Sequence, residues 1–241
     1  MKIKAIFLDL GGTLIHTSLS NENEELKKIR SAAFRDAGYE ISEKKMKKVF
    51  CKVGDYVQKK LRGDYRRHKI GLWLSLAFKM LNLPVDEKII REYGIKVKDL
   101  EVETSRMIDN AFDLLSFLKK KGYKLVLTSN GSNYGVNRIV DKHGFRKFFD
   151  LIIISEDIHA EKSTTIPYKL ALKKLNLKPE EVIVVGDRID EDILGANKLG
   201  IKSVRVKFGF EHGNDIPGVK PDFVIDDLMK LKKVLEQINH G

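Results

Sequence analysis

Four short apolar runs in this chain each stop at a polar residue: KIKAIFL before Asp9, KLVLT before Ser129, LIII before Ser155 and EVIVVG before Asp187. Short apolar runs bounded by turn residues read as buried strands. From residue 107 onward they alternate with helical patterns. A helix over Asp109–Lys121 leads through Gly122 to YKLVLTSN, and a second, Val136–Lys142, leads through Gly144 to the strand Asp150–Ser155. A third, Pro167–Leu175, leads to the strand Glu181–Asp187. A helix over Glu191–Leu199, closed by Gly200, precedes KSVRV, and PDFVID precedes a last helix over Asp227–Ile238. Strands alternating with helices require a parallel sheet covered on both faces. The polar residues at the strand ends then meet along one edge, where α/β folds bind ligands.

Residues 20–105 interrupt this alternation and contain no strand pattern. Residues 22–39 place Leu26, Ile29, Ala33 and Ala37 at helical spacing, with acidic residues leading and Gly38 closing. Residues 42–62 repeat the pattern with Met46, Val49, Phe50, Val53 and Val57, and residues 66–82 and 86–103 continue it on either side of Leu83-Pro84. The expected organisation is an α/β core of residues 1–16 and 106–241 with residues 17–105 inserted after the first strand. That insertion is long enough to cover the sheet edge.

Charge and composition narrow the partners. No apolar run approaches the ~20 residues of a spanning helix, so no membrane association is expected. The N-terminal MKIKAIFLDL lacks a leader's long apolar stretch and leads straight into Asp9; a cytoplasmic protein is expected. The single cysteine, Cys51, leaves no internal disulfide and no cysteine cluster for zinc. The net charge of +11 is concentrated in residues 44–69, which hold eleven basic and two acidic residues. An anionic small molecule fits that balance, as does a Lys/Glu-rich surface of the thermophile kind. No nucleic-acid motif accompanies the run, so nucleic acid is not expected as a partner. Oligomeric state is not legible.

The strand ends carry the chemistry: Asp9 with Thr13, Ser129 with Asn130, Lys162 shortly after the third run, and GDRIDED with Asp187 and Asp192. Carboxylates, a hydroxyl and a lysine around one edge suit a phosphate bound with a hard cation such as Mg²⁺, and a carboxylate can also attack as a nucleophile. In chain order, DLGGTL, TSNG, Lys162 with Tyr168 six residues on, and GDRIDEDILGANKLG resemble the four motifs of the haloacid dehalogenase-like (HAD) hydrolase superfamily. The match covers nearly the whole chain. The helical insertion resembles the cap of subfamily I, and the resemblance implies a Rossmann-like α/β core. It further implies that Asp9 attacks phosphorus and becomes an aspartyl phosphate, that Ser129 and Lys162 hold the phosphoryl oxygens, and that Thr13 steadies the Asp9 loop. Asn130 would address the substrate. Asp9, Asp187 and the main-chain carbonyl of Gly11 would hold Mg²⁺, with Asp192 beside them orienting Lys162 or a metal-bound water. His16, Tyr65, Arg67 and His68 are further residues able to reach a substrate, although packing or surface roles suit them too. Where the family's lysine is usually followed by proline, this chain has Ser163.

Gly11 departs from the family pattern. Its phosphatases normally carry a second aspartate there, which protonates the leaving alcohol and activates water, a role worth roughly 10²–10⁴-fold. Three readings follow. The first is a Mg²⁺-dependent phosphatase of small phosphorylated metabolites with an atypical proton transfer, faster on acyl or aryl than on alkyl phosphates. The second is a 2-haloacid dehalogenase-type hydrolase acting at carbon; those enzymes also lack that aspartate, but carry a bulky aromatic there and need no metal. The third is a phospho-ligand-binding protein with little turnover.

Overall fold

The computed structural model describes residues 2–16, 19, 22–208 and 215–240. Six strands form one sheet in the order β5-β4-β1-β6-β7-β8, every adjacent pair parallel. Here β1 is Ala5–Leu8, β4 Lys124–Ser129, β5 Leu151–Ile154, β6 Val182–Gly186, β7 Lys202–Val206 and β8 Phe223–Ile225. The central strand is the N-terminal one. Leu8 is in register with Leu127 on one side and Val185 on the other. That register brings Asp9, Ser129 and Asp187 to one edge from three adjacent strands. The fold is the α/β sandwich expected, because β1, β4 and β6 are apolar on both faces and need a layer of helices on each.

Those layers form two apolar clusters. One joins Ile6, Leu8, Leu125 and Leu127 to Leu114, Leu118, Val140 and Leu235, from helices α5 (Ala111–Lys120), α6 (Asn133–Lys142) and α10 (Leu231–His240). The other joins Ala5, Phe7, Val126 and Val184 to Tyr168, Ala171 and Ala196, from α8 (Ile166–Leu175) and α9 (Leu194–Asn197). Phe7 and Tyr168 stack with ring centroids 6.2 Å apart. A four-residue helix, α7, covers Ser155–Ile158.

The insertion has its own apolar cluster, with Phe34, Phe50, Val53, Leu74, Phe78 and Tyr93 at its centre. It is built from α1 (Glu24–Asp36), α2 (Glu43–Lys60), α3 (Leu72–Met80) and α4 (Glu87–Thr104). Asn23, Ser42 and Asp86 cap α1, α2 and α4, each accepting a hydrogen bond from a first-turn amide. The helix expected over residues 66–82 divides. Tyr65–His68 is a 3₁₀ turn, and α3 starts only after Gly71, whose φ of +78° is left-handed. A Cβ on Gly71 would lie 2.6 Å from the Ile90 carbonyl oxygen, so close contact with α4 fixes that break. The chain leaves and re-enters the core through an antiparallel pair, β2 (Ile15–His16) against β3 (Arg106–Met107). The expected start of the insertion at residue 17 lies outside the described residues. Among the described residues no helix is long and apolar enough to cross a membrane.

Candidate active site

A cavity of about 320 Å³ opens at the C-terminal edge of the sheet, beneath the insertion. Asp9, Gly11, Gly12, Ser129, Asn130, Lys162 and Asp187 line it from the core. His16, from β2, and Arg67, His68, Lys98 and Glu101, from the insertion, line it too. Asp9 follows β1 directly, and its amide donates to the Val185 carbonyl at 2.9 Å. The carboxylate is then fixed from two sides: Lys162 Nζ donates to Oδ1 at 2.6 Å and the Thr13 hydroxyl to Oδ2 at 3.2 Å. Thr13 and Lys162 are both buried.

Lys162 also pairs with Asp192 Oδ1 at 2.6 Å. Burial opposes its charge, but Asp192 and Asp9 outweigh that and hold the ammonium well above the ordinary lysine range. The second Asp192 oxygen accepts the Arg188 amide at 3.1 Å. Lys162 begins a 3₁₀ turn, Lys162–Thr164, bracketed by left-handed His159 (φ +53°) and Thr165 (φ +70°). Positive φ at a β-branched threonine is strained, and such strain collects at functional loops.

Asp187 differs from its neighbours. It is buried, its Oδ1 has no hydrogen-bond partner, and no cation pairs with it among the described residues. Burial, then the negative charges of Asp9 and Asp192, pushes its pKa up to about 8. Burial likewise lifts Asp192 to about 7. Oxygens of Asp9, Asp187 and Asp192 lie within 4.8 Å of one another, the one such acidic group among the described residues. Around it, six buried carboxylates (Asp9, Glu161, Asp187, Asp190, Glu191, Asp192) face four cations: Lys162, Arg188, Arg67 and Arg62. Asp187 is the member of this group with no ion pair among the described residues. The residues therefore fit a divalent cation with oxygen ligands.

The glycines shape this cluster. A Cβ on Gly12, whose φ is +78°, would sit 2.5 Å from Asp187 Oδ2, so only glycine lets the turn approach that carboxylate. Gly11 is different: a Cβ there would meet nothing within 4 Å.

Ser129 ends β4, buried and facing the cavity. Its neighbour Asn130 is engaged with protein. Its Nδ2 donates to Glu191 Oε2 at 2.5 Å, and its Oδ1 accepts the Lys162 amide at 3.1 Å. Glu191 and Glu161 have no assigned place in the sequence reading, yet both are buried at the site. Burial would raise Glu191, but Arg188 and Arg67 hold it at about 2. The helix expected from Glu191 is instead a π-helical turn, Ile189–Ile193, which turns Asp190, Glu191 and Asp192 all inward before α9 begins. A GD followed by three further acids was the visible sign of this cluster. Which acid meets which cation depends on that turn and on the insertion.

A family model described as haloacid dehalogenase-like hydrolase matches residues 3–200. The chain is 28% identical to a glyceraldehyde 3-phosphate phosphatase of Methanopyrus kandleri, with 98% of each chain covered. It is 26% identical to the pyrophosphatase PpaX of Bacillus mycoides, covering 99% of this chain and all of that one. Among solved structures it resembles a HAD phosphatase from Thermococcus onnurineus, with a TM-score of 0.70 at 22% identity over 97% of this chain and 98% of that one.

Proposed function

Because the chain belongs to the haloacid dehalogenase-like hydrolase family, we propose that it is a cytoplasmic, Mg²⁺-dependent phosphatase of small phosphorylated metabolites. One observation carries the reading: the Asp9 carboxylate, held by Lys162 at 2.6 Å, lies within 4.8 Å of the Asp187 carboxylate, whose Oδ1 has no hydrogen-bond partner, in one cavity. Phosphatase names among the relatives at 26–28% identity support it. A cavity of about 320 Å³ suits a small molecule.

In this reading Asp9 attacks phosphorus and the ester oxygen departs, leaving an aspartyl phosphate that water hydrolyses to inorganic phosphate and free Asp9. Thr13 holds the attacking carboxylate in line. Lys162 and the Ser129 hydroxyl hold the phosphoryl oxygens where charge develops. Asp192 keeps the Lys162 ammonium aimed and charged. Asp9, Asp187 and the Gly11 carbonyl would hold Mg²⁺, with Asp192 next to them. When bound, the ion supplies Lewis-acid stabilisation of the phosphoryl oxygens. Gly11 offers no proton to the departing oxygen, so good leaving groups are favoured.

The test is phosphate release from p-nitrophenyl phosphate, acetyl phosphate, pyrophosphate, glyceraldehyde 3-phosphate and an alkyl phosphate, each with Mg²⁺ and with EDTA. The expected pattern is Mg²⁺-dependent release, faster from acyl and aryl phosphates than from the alkyl ester, and lost in Asp9→Asn. No phosphate release, with chloride released from 2-chloropropionate in EDTA, would replace this reading with hydrolysis at carbon.

A further inference from the structure

One guanidinium from the insertion is wedged between two acidic segments of the core. Arg67 pairs through Nε with Glu161 and through a terminal nitrogen with Glu191 Oε1 at 2.5 Å. His68 Nε2 lies 3.1 Å from the same Glu161 oxygen. Arg62 pairs with Asp190 at 3.3 Å, and the Tyr65 ring lies against His159 at 4.8 Å. The two carboxylates that Arg67 grips are the chain neighbours of Lys162, which holds Asp9, and of Asp192, which holds Lys162. Glu161 precedes Lys162, and Glu191 precedes Asp192. Glu191 also takes the Asn130 amide at 2.5 Å, and Asn130 in turn accepts the Lys162 backbone N–H at 3.1 Å. A continuous chain of polar contacts therefore runs from the insertion through Arg67, Glu191 and Asn130 to Lys162, and from Lys162 to Asp9.

We propose that Arg67 and Glu191 are positioning residues that make the Lys162–Asp9 arrangement conditional on the insertion being seated over the site. This rests on the catalytic reading of Asp9 and Lys162 given above. The physical basis is the arrangement of charge. Glu161 is fully buried and Glu191 nearly so, and one guanidinium spans both. Withdrawing it takes from Glu161 the guanidinium that covers it and leaves Glu191 to Arg188 alone, which pairs with it at 2.6 Å, so both carboxylates lose charge compensation that holds their segments in place. They separate or rehydrate, and Lys162 and Asp192 move with them because they are the next residues in the chain. Lysine at position 67 cannot replace arginine fully, since a point charge does not bridge two carboxylates as a planar fork does. The consequence is that an open, solvent-flooded site is poorly assembled, and phosphoryl transfer is confined to the seated state.

The experiment measures hydrogen exchange of the Lys162 amide in the full chain, together with kcat and KM on p-nitrophenyl phosphate. It compares wild type, Arg67→Met, Arg67→Lys, Glu191→Gln and the Arg67→Met/Glu191→Gln double variant. Arg67→Met is expected to speed Lys162 exchange by about tenfold or more, with exchange in α10 unchanged. It should lower kcat by about tenfold with KM within about twofold, because the loss is of arrangement more than of binding. Arg67→Lys should fall between, and the double variant should be no worse than the worse single one, as residues acting in one chain are not additive. Unchanged Lys162 exchange in Arg67→Met, or fully additive losses in the double variant, would overturn the proposal. Should Arg67→Met fail to fold, Arg67→Lys against wild type decides by the same two readouts. A wild type that releases no phosphate defeats the phosphatase reading, while the exchange measurement still decides the coupling.

Discussion

Replacing Asp187 with asparagine should stabilise the metal-free protein above neutral pH, although it removes a residue central to the site. Asp187 is buried with Oδ1 unpartnered, and its pKa stands near 8 in the fold against an ordinary 3.8. The folded value lies above the unfolded one. The unfavourable contribution is therefore absent below about pH 4, grows as pH rises and levels off above about pH 8. At about 1.4 kcal/mol per pH unit, it amounts to about 2 kcal/mol at pH 5 and about 4 kcal/mol at pH 7. Asparagine keeps the shape against Gly12 and carries no charge, so it escapes this cost. For a chain of this length, each kcal/mol moves Tm by about 2–4 °C. In EDTA, Asp187→Asn should melt several degrees above wild type at pH 8, with the gap shrinking toward pH 5. Added Mg²⁺ should raise the wild-type Tm and leave the variant's nearly unchanged, since ligand binding to the folded state alone stabilises it. Thermal melts followed by circular dichroism at pH 5 and pH 8, with EDTA and with Mg²⁺, read all four conditions. A variant that melts at or below wild type at pH 8 in EDTA, or a gap that widens toward acid, would refute the reasoning.

Other residues of the site give further tests. Gly11→Asp adds a side chain where a Cβ meets nothing; alkyl phosphate hydrolysis should rise by about tenfold or more as a general acid is supplied, and an unchanged rate would mean another group already serves. Gly12→Ala forces a Cβ to 2.5 Å from Asp187 Oδ2 at a left-handed φ; it should cost roughly 1–3 kcal/mol in urea unfolding and abolish the Mg²⁺-dependent rise in Tm. Glu191 has its folded pKa near 2 against 4.5 unfolded, so its contribution is complete above about pH 4.5 and is lost as pH falls toward 2. That contribution is about 3 kcal/mol. Urea melts of Glu191→Gln and wild type should differ most at pH 6, with the difference less than half as large at pH 3, and a constant difference would show that Glu191 is not held ionised by its arginines.

Some of this protein is legible one residue at a time. The sheet was readable because β1, β4 and β6 are buried on both faces, which demands unbroken apolar runs, and because a parallel sheet ends all its strands toward one edge. Asp9, Ser129 and Asp187 follow from that rule alone, each being the polar residue at or just past the end of such a run. The helices of the insertion were readable for the same local reason, except where Gly71 packs against Ile90 and breaks the third helix.

What the linear order could not contain is the pairing of charges. DED after GD and a basic stretch around Arg67 are visible as composition, but any acid there could have faced water. Only the π-helical turn sends Asp190, Glu191 and Asp192 inward together, and only the seating of the insertion brings Arg67, ninety-four residues from Glu161, into contact with it. Apolar patterning is local and repeats with the backbone's own period, so sequence determined the layers and the edge where chemistry collects. Charge compensation acts through space between segments distant in the chain, so the tertiary structure alone decided that, among the described residues, Asp187 is the carboxylate of the site with no ion pair.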